Sequence, residues 1–270
     1  SLRGRAHRCH GEVLSHSFRR ELRTTVSLAT PLVLGHFSTG LISFVDSVIA
    51  GHHGTRTLAS VTIGSALMWL PLTVVLGTLM SVPPAVSQLA GAGRRDEIGP
   101  LFRQALWVAL GFGPLLFAYL TFVPSALGLM GISPEIAPGT TGFLHGVRWG
   151  LPGFTLFLCL RYLADGLHHT LPSMVLAIAG LFLLVPTGYA LTFGAFGLPE
   201  LGAKGLGIAS AVVMWFQAIA LTLYLAKARR FRDYGLFSRF DPPRRAEIRE
   251  LLAVGAPIGF TVLMEGSLFI

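Results

Sequence analysis

Charge is what this chain has least of. Residues 57–93, 104–134 and 205–226 contain no Asp, Glu, Lys or Arg, and each run exceeds the roughly 20 residues that cross a bilayer core. Soluble domains carry about 25% charged residues; here 13% are charged and 52% apolar, which excludes a soluble globular reading. Cysteine is also scarce. Cys9 lies in a basic arm and Cys159 within an apolar run, so no disulfide is expected. Residues 1–24 are basic and lack the apolar core of a cleavable signal peptide. No clustered set of metal ligands or nucleophiles is present, so an enzyme is not expected. His52-His53 and His168-His169 are adjacent pairs without an accompanying Cys or carboxylate set, and loop neighbours of that kind are poor metal sites. No metal or cofactor is expected.

What is present is apolar sequence rich in glycine (32) and proline (16), a mixture that membrane helices tolerate better than soluble ones. The pattern predicts an all-α polytopic membrane protein with spans near 27–50, 58–83, 101–123, 141–163, 172–193, 205–226 and 249–270. The arginines sort by side. The arm before the first span holds Arg3, Arg5, Arg8, Arg19, Arg20 and Arg23, the second loop Arg94, Arg95 and Arg103, and the sixth Lys227 through Arg249. The alternate loops hold only Arg56 and Lys204. Cationic loops stay cytoplasmic, so the N-terminus is expected inside. The net charge of +8 is then a topology signal, not a nucleic-acid surface.

One acid breaks the apolar pattern. Between Arg23 and Arg56 the only ionisable residues are Asp46 and three histidines. A carboxylate at that depth is expensive to keep charged, and so must face the bundle interior or a wet cavity. At helical spacing His36, Thr39, Ser43 and Ser47 fall within about 100° of Asp46, while Leu41, Phe44, Val45 and Val48 cover the opposite side. A wet face with one carboxylate suits an ion or substrate pathway. Pro31, in the first turns of that span, is either a hinge below the acid or an ordinary kink filled by packing.

Elsewhere the polar residues read more plainly. Arg148 either snorkels to the outer interface or lines a cavity. Arg161 and Asp165, four apart, read as an exposed helix-end pair. Gly205, Gly207, Ala209, Ser210 and Ala211 allow close helix packing. Asp241 followed by Pro242 reads as the N-cap of an interfacial helix. The sequence also repeats itself. Glu21-Leu-Arg23 precedes Pro31-Leu32 as Glu247-Ile-Arg249 precedes Pro257-Ile258, with Gly40 matching Gly266. An even number of spans separates the copies, so the repeats are parallel. In this register Glu265 falls at the position of Thr39, about 20° from Asp46 on the wheel.

Together these features resemble the multidrug and toxic compound extrusion (MATE) family, in its NorM-like bacterial branch. The residues that carry the likeness are Ala29-Thr-Pro31, Phe44-Val-Asp-Ser-Val-Ile-Ala-Gly51, Ser87-Gln-Leu-Ala-Gly-Ala-Gly93, Asp165-Gly166, Gly197-Leu-Pro-Glu-Leu-Gly202 and Met264-Glu265. The resemblance implies two six-helix bundles around a central cavity, twelve helices in all. Residues 1–24 would be a leader, 25–226 the first bundle, 227–248 a basic connector and 249–270 the start of the second bundle. The chain opens on Ser and stops at Ile270 within an apolar helix, so a fragment is expected. By the same resemblance Asp46 and Glu265 match the family's coupling acids and Pro31 the proline at which the first helix bends. The family's asparagines beside the fifth-span proline are replaced by Leu184 and Gly188 around Pro186. That leaves Thr187, Tyr189 or His36 as candidate polar partners of Asp46.

The expected function is therefore a secondary active exporter of cationic or amphipathic organic compounds. It would run on H+ or Na+ antiport, as a monomer in the bacterial inner membrane. Two readings stand against it. A flippase for lipid-linked saccharide or peptidoglycan precursors would need several inward cations, and only Arg148 falls within a span away from its ends. A truncated, non-functional product is the other.

Overall fold

The fold was analysed in a computed structural model that describes residues 40–197, 199–236, 239 and 241–267. The residues described are helical, with no strand among them. Nine α-helices follow in order among these residues. They are α1 (40–53), α2 (Thr55–Leu79), α3 (Val82–Gly91), α4 (Ile98–Phe122), α5 (Ala137–Val147), α6 (Leu151–Gly166), α7 (Leu171–Phe193), α8 (Ala203–Lys227) and α9 (Arg245–Ser267). The expected spans 58–83, 101–123, 172–193 and 205–226 each fall within a helical stretch long and apolar enough to cross a membrane. The spans expected at 27–50 and 249–270 run into residues outside those described. This is a multi-pass membrane protein of all-helical class.

Proline sets where the helices break. Pro83 and Pro84 lack the N–H groups that would continue α2, so the chain turns at Met80–Ser81 and restarts as α3 with proline in its first turn. The pair still reads as one stretch of 37 residues. The span expected as a single helix over 141–163 is instead two, α5 and α6, bent by 51°. Gly150 and Pro152 sit at that bend, Pro152 again in a first helical turn. Pro71, Pro114, Pro186 and Pro257 lie inside helices that continue past them.

Small residues let the helices touch backbone to backbone. Where α5 crosses α8, the space a Gly207 Cβ would take is filled by the Phe143 carbonyl, and that beside Gly146 by the Lys204 carbonyl. A membrane interior offers no hydrophobic drive between helices, so this close approach is what holds the pair. The small-residue stripe of the sixth span thus packs as its sequence predicts. Helix α9 packs most extensively on α2, with Gly259 against Gly77 and Gly255 against Thr78.

The connector departs from expectation. Asp241 does not cap a helix, because α9 begins at Arg245 and Asp241 turns to pair with Arg103 of α4 at 2.6 Å. A buried cation outcompetes a solvent-exposed cap position for the carboxylate.

Candidate functional site

A cavity of about 440 Å³ opens between the helices. Its walls include Ile42, Ser43, Asp46 and Ser47 of α1; Ser65, Met68 and Trp69 of α2, with Met80 just after it; and Phe143 of α5. They continue with Phe154, Phe157, Arg161 and Tyr162 of α6, Leu184 of α7, Ser210, Met214 and Gln217 of α8, and Val262 of α9. The wall is largely apolar, with five aromatic and three methionine side chains in it. Thioether and ring surfaces adapt to apolar ligands of many shapes, and a few polar groups among them fix orientation.

Asp46 stands on this wall with Ser43 and Ser47, the face its helical periodicity assigns it. Ser47 turns its hydroxyl to the Ser43 carbonyl at 2.9 Å, which leaves it no donor for the acid. From α8, Ser210 lines the same cavity, its hydroxyl within interacting reach of the Asp46 carboxylate. One carboxylate oxygen, Oδ1, is buried without a hydrogen-bond partner. A buried acceptor left open is costly, and a proton or a small cation would satisfy it.

The residues expected to replace the missing asparagines are placed elsewhere. Thr187 donates back to the Leu183 carbonyl of its own helix at 2.6 Å. Tyr189 is 53% exposed and stacks on Phe193 with ring centres 4.7 Å apart. Neither lines this cavity. Leu184, where the resemblance leads one to expect an asparagine, is fully buried in the cavity wall, and Gly188 packs beneath Ile49, Leu206 and Ala209. His36, Thr39 and Pro31 lie outside the described residues, as does the side chain of Glu265.

Arg161 and Asp165 correct the sequence reading. They are not an exposed pair: each side chain is only 13% exposed, with Nε 3.7 Å from Oδ2, and Arg161 faces the cavity. The 51° bend at 148–150 steers α6 inward, which spacing alone does not foretell. Arg148 sits at that bend, over the rings of Phe117 and Trp149, and donates to Thr121 at 3.3 Å. It does not line the cavity. Of the histidines, His53 bridges Thr57 at 2.8 Å and Glu200 at 3.0 Å, tying the end of α1 to the loop before α8. His52 turns away to the Val48 carbonyl.

Known proteins share this fold. The MatE family model matches residues 31–190, more than half of the chain. The chain belongs to the MatE family. A probable multidrug resistance protein NorM of Xanthomonas campestris pv. campestris is 61% identical over 94% of this chain and 55% of its own length. Multidrug resistance protein PmpM of Pseudomonas aeruginosa is 42% identical over 93% of this chain and 53% of its own. The solved MATE transporter NorM-NG, in complex with a ligand and a monobody, superposes with a TM-score of 0.71. It is 30% identical over 92% of this chain and 54% of that one. This MatE chain thus spans about half the length of the curated relatives it matches.

Ser210 and Gln217 are among the polar cavity residues that sequence reasoning missed in this MatE chain. Both lie on α8, seven residues and so about two turns apart on one face. Ser210 was legible only as a member of the small-residue stripe. Its hydroxyl makes the difference at a position where glycine or alanine would pack equally well.

Proposed function

We propose that this chain is the first bundle, with the opening helix of a parallel second one, of a secondary active multidrug exporter. The full transporter would carry cationic or amphipathic organic compounds out of a bacterial cell in exchange for H+ or Na+. It would sit in the inner membrane as a monomer, with the arginine-rich end cytoplasmic, since cationic loops are retained there. Residues 25–226 would form the first bundle, 227–248 the connector and 249–270 the start of the second.

One observation carries the reading. Among the described residues a single carboxylate, Asp46, stands on the largely apolar cavity wall with its Oδ1 buried and open. A proton or cation on that oxygen neutralises a charge that is expensive in the bilayer. An organic cation offers the same compensation, so the two compete for one acid. Ligands that bind the two arrangements of the bundle unequally shift the balance between them, which is what antiport requires. Glu265, on α9, would be the corresponding acid of the second bundle. The relatives point the same way: they are multidrug resistance proteins, and the solved NorM-NG transporter holds a ligand. The flippase alternative finds little support, because the one cation among the described wall residues, Arg161, already has Asp165 beside it.

The test is efflux of ethidium by the full-length transporter in inverted vesicles, driven by a pH or Na+ gradient. Asp46→Asn is expected to abolish gradient-driven efflux with folded protein still in the membrane. Undiminished efflux by that variant would remove Asp46 from the coupling mechanism.

A further inference from the structure

The connector before α9 is fastened to α4 by three side chains. Arg103 Nε donates to Asp241 Oδ2 at 2.7 Å, and Nη1 donates to the Gly235 carbonyl at 2.8 Å. Gln104 donates to the Pro242 carbonyl at 3.2 Å and accepts from the Arg244 backbone N–H at 2.8 Å. Trp107 Nε1 donates to the Asp241 carbonyl at 2.9 Å. One turn earlier Gly99 has no side chain, and the Tyr234 carbonyl fills the space a Cβ would take. Arg103 and Asp241 are 11% and 21% exposed, and Gln104 is buried. Groups this far from water hold as a complete set, since removing one leaves its partner buried and unsatisfied.

The clasp ends where the helix begins. Arg244 is its last residue and α9 starts at Arg245, so no slack chain separates them. Farther along, α9 lies against α2 through Gly255 and Gly259. A polar linker free in solvent would act as a flexible tether. This one is gripped by α4 up to the first residue of the next helix.

Resting on the transport reading above, we infer that Arg103, Gln104 and Trp107 are positioning residues for the second bundle. They hold the arginine-rich end of α9 on α4 throughout the transport cycle. The second bundle therefore pivots about a fixed foot instead of swinging on a linker. None of the three lines the cavity. They act through α9, which brings Val262 to the cavity wall and carries Glu265.

The full-length protein tests this with spin labels at Asp96→Cys and Ala246→Cys, both exposed positions, in a background with Cys9→Ser and Cys159→Ala. The α4–α9 distance, read by double electron–electron resonance, is expected to be single and unchanged between acidic and alkaline pH and with ethidium added. A distance that shifts with pH or ethidium overturns the fixed foot. Arg103→Ala is expected to broaden that distribution and to slow ethidium efflux several-fold per folded molecule at unchanged half-saturating ethidium, with Arg103→Lys restoring most of both. Less folded protein with an unchanged per-molecule rate would reduce the clasp to mere stabilisation and overturn the inference. If Arg103→Ala does not fold, Trp107→Phe, which deletes one hydrogen bond, gives the same two readings. Absence of ethidium efflux in the unsubstituted protein would count against the transport reading alone, because the distance still reports on the foot.

Discussion

Ser210 of α8 and Asp46 of α1 line one cavity, the serine hydroxyl within reach of the carboxylate. A hydroxyl beside a buried acid is part of the polar surrounding that the acid meets on losing its proton. Ser210→Ala is therefore predicted to change the pH profile of efflux with the amount of folded protein unchanged. Efflux measured against pH in vesicles checks this, and an unchanged profile would show that the hydroxyl does not tune the acid. Leu184→Asn in the Ser210→Ala background places a polar neighbour from α7 on the same cavity wall and is predicted to move the profile back.

The crossing of α5 and α8 makes a prediction about stability alone. Gly207 has the Phe143 carbonyl where its Cβ would be, so Gly207→Val forces two backbones apart. Overpacking of this kind costs about 1–3 kcal/mol. The variant is predicted to give less folded protein and a lower melting temperature in detergent. Gly111, with nothing near its missing Cβ, is the matched control, and Gly111→Ala is predicted to be neutral or slightly stabilising, since alanine is the better helix former.

The polar link at the C-terminal end of α1 is a weaker constraint. His53 reaches Glu200 at 3.0 Å, but Glu200 is 66% exposed, and exposed pairs contribute little. Glu200→Gln is predicted to leave the melting temperature within a degree or so of the parent, roughly the scale of a few tenths of a kcal/mol. A large loss would mean that this contact is buried by the rest of the transporter.

Much of this was legible in the sequence, and the reasons differ by element. Charge-free runs place the spans because no other composition survives in a bilayer, and α2, α4, α7 and α8 cover the expected stretches. The wet face of α1 follows from periodicity alone, and Asp46, Ser43 and Ser47 share the cavity as it predicts. The misses lie where two elements meet. The bend between α5 and α6 turns Arg161 and Asp165 inward; Gly150 and Pro152 mark its place, but not its direction. Asp241 followed by proline is a sound helix-start signal, overridden by Arg103 from 138 residues away. Ser210 hides among small residues chosen for packing.

Arg161 and Asp165 supply the last prediction. Both are 13% exposed, and their contact at 3.7 Å is loose, with Arg161 Nε making no hydrogen bond. Removing one partner of a buried pair strands the other charge and costs about 3–5 kcal/mol, whereas replacing both with apolar residues of like volume is often neutral or better. Arg161→Met and Asp165→Leu are each predicted to lower the melting temperature markedly, and the double variant to recover it. Function separates from stability here. Arg161 stands on the same cavity wall as Asp46, and once Asp165 no longer offsets its charge it repels a cationic ligand. Asp165→Asn is therefore predicted to raise the half-saturating ethidium concentration, and the double variant to return it to the parental value or below. A melting-temperature series run beside efflux kinetics decides the matter. If the double variant regains stability but not ethidium affinity, Arg161 contributes to binding directly and not through its charge balance with Asp165.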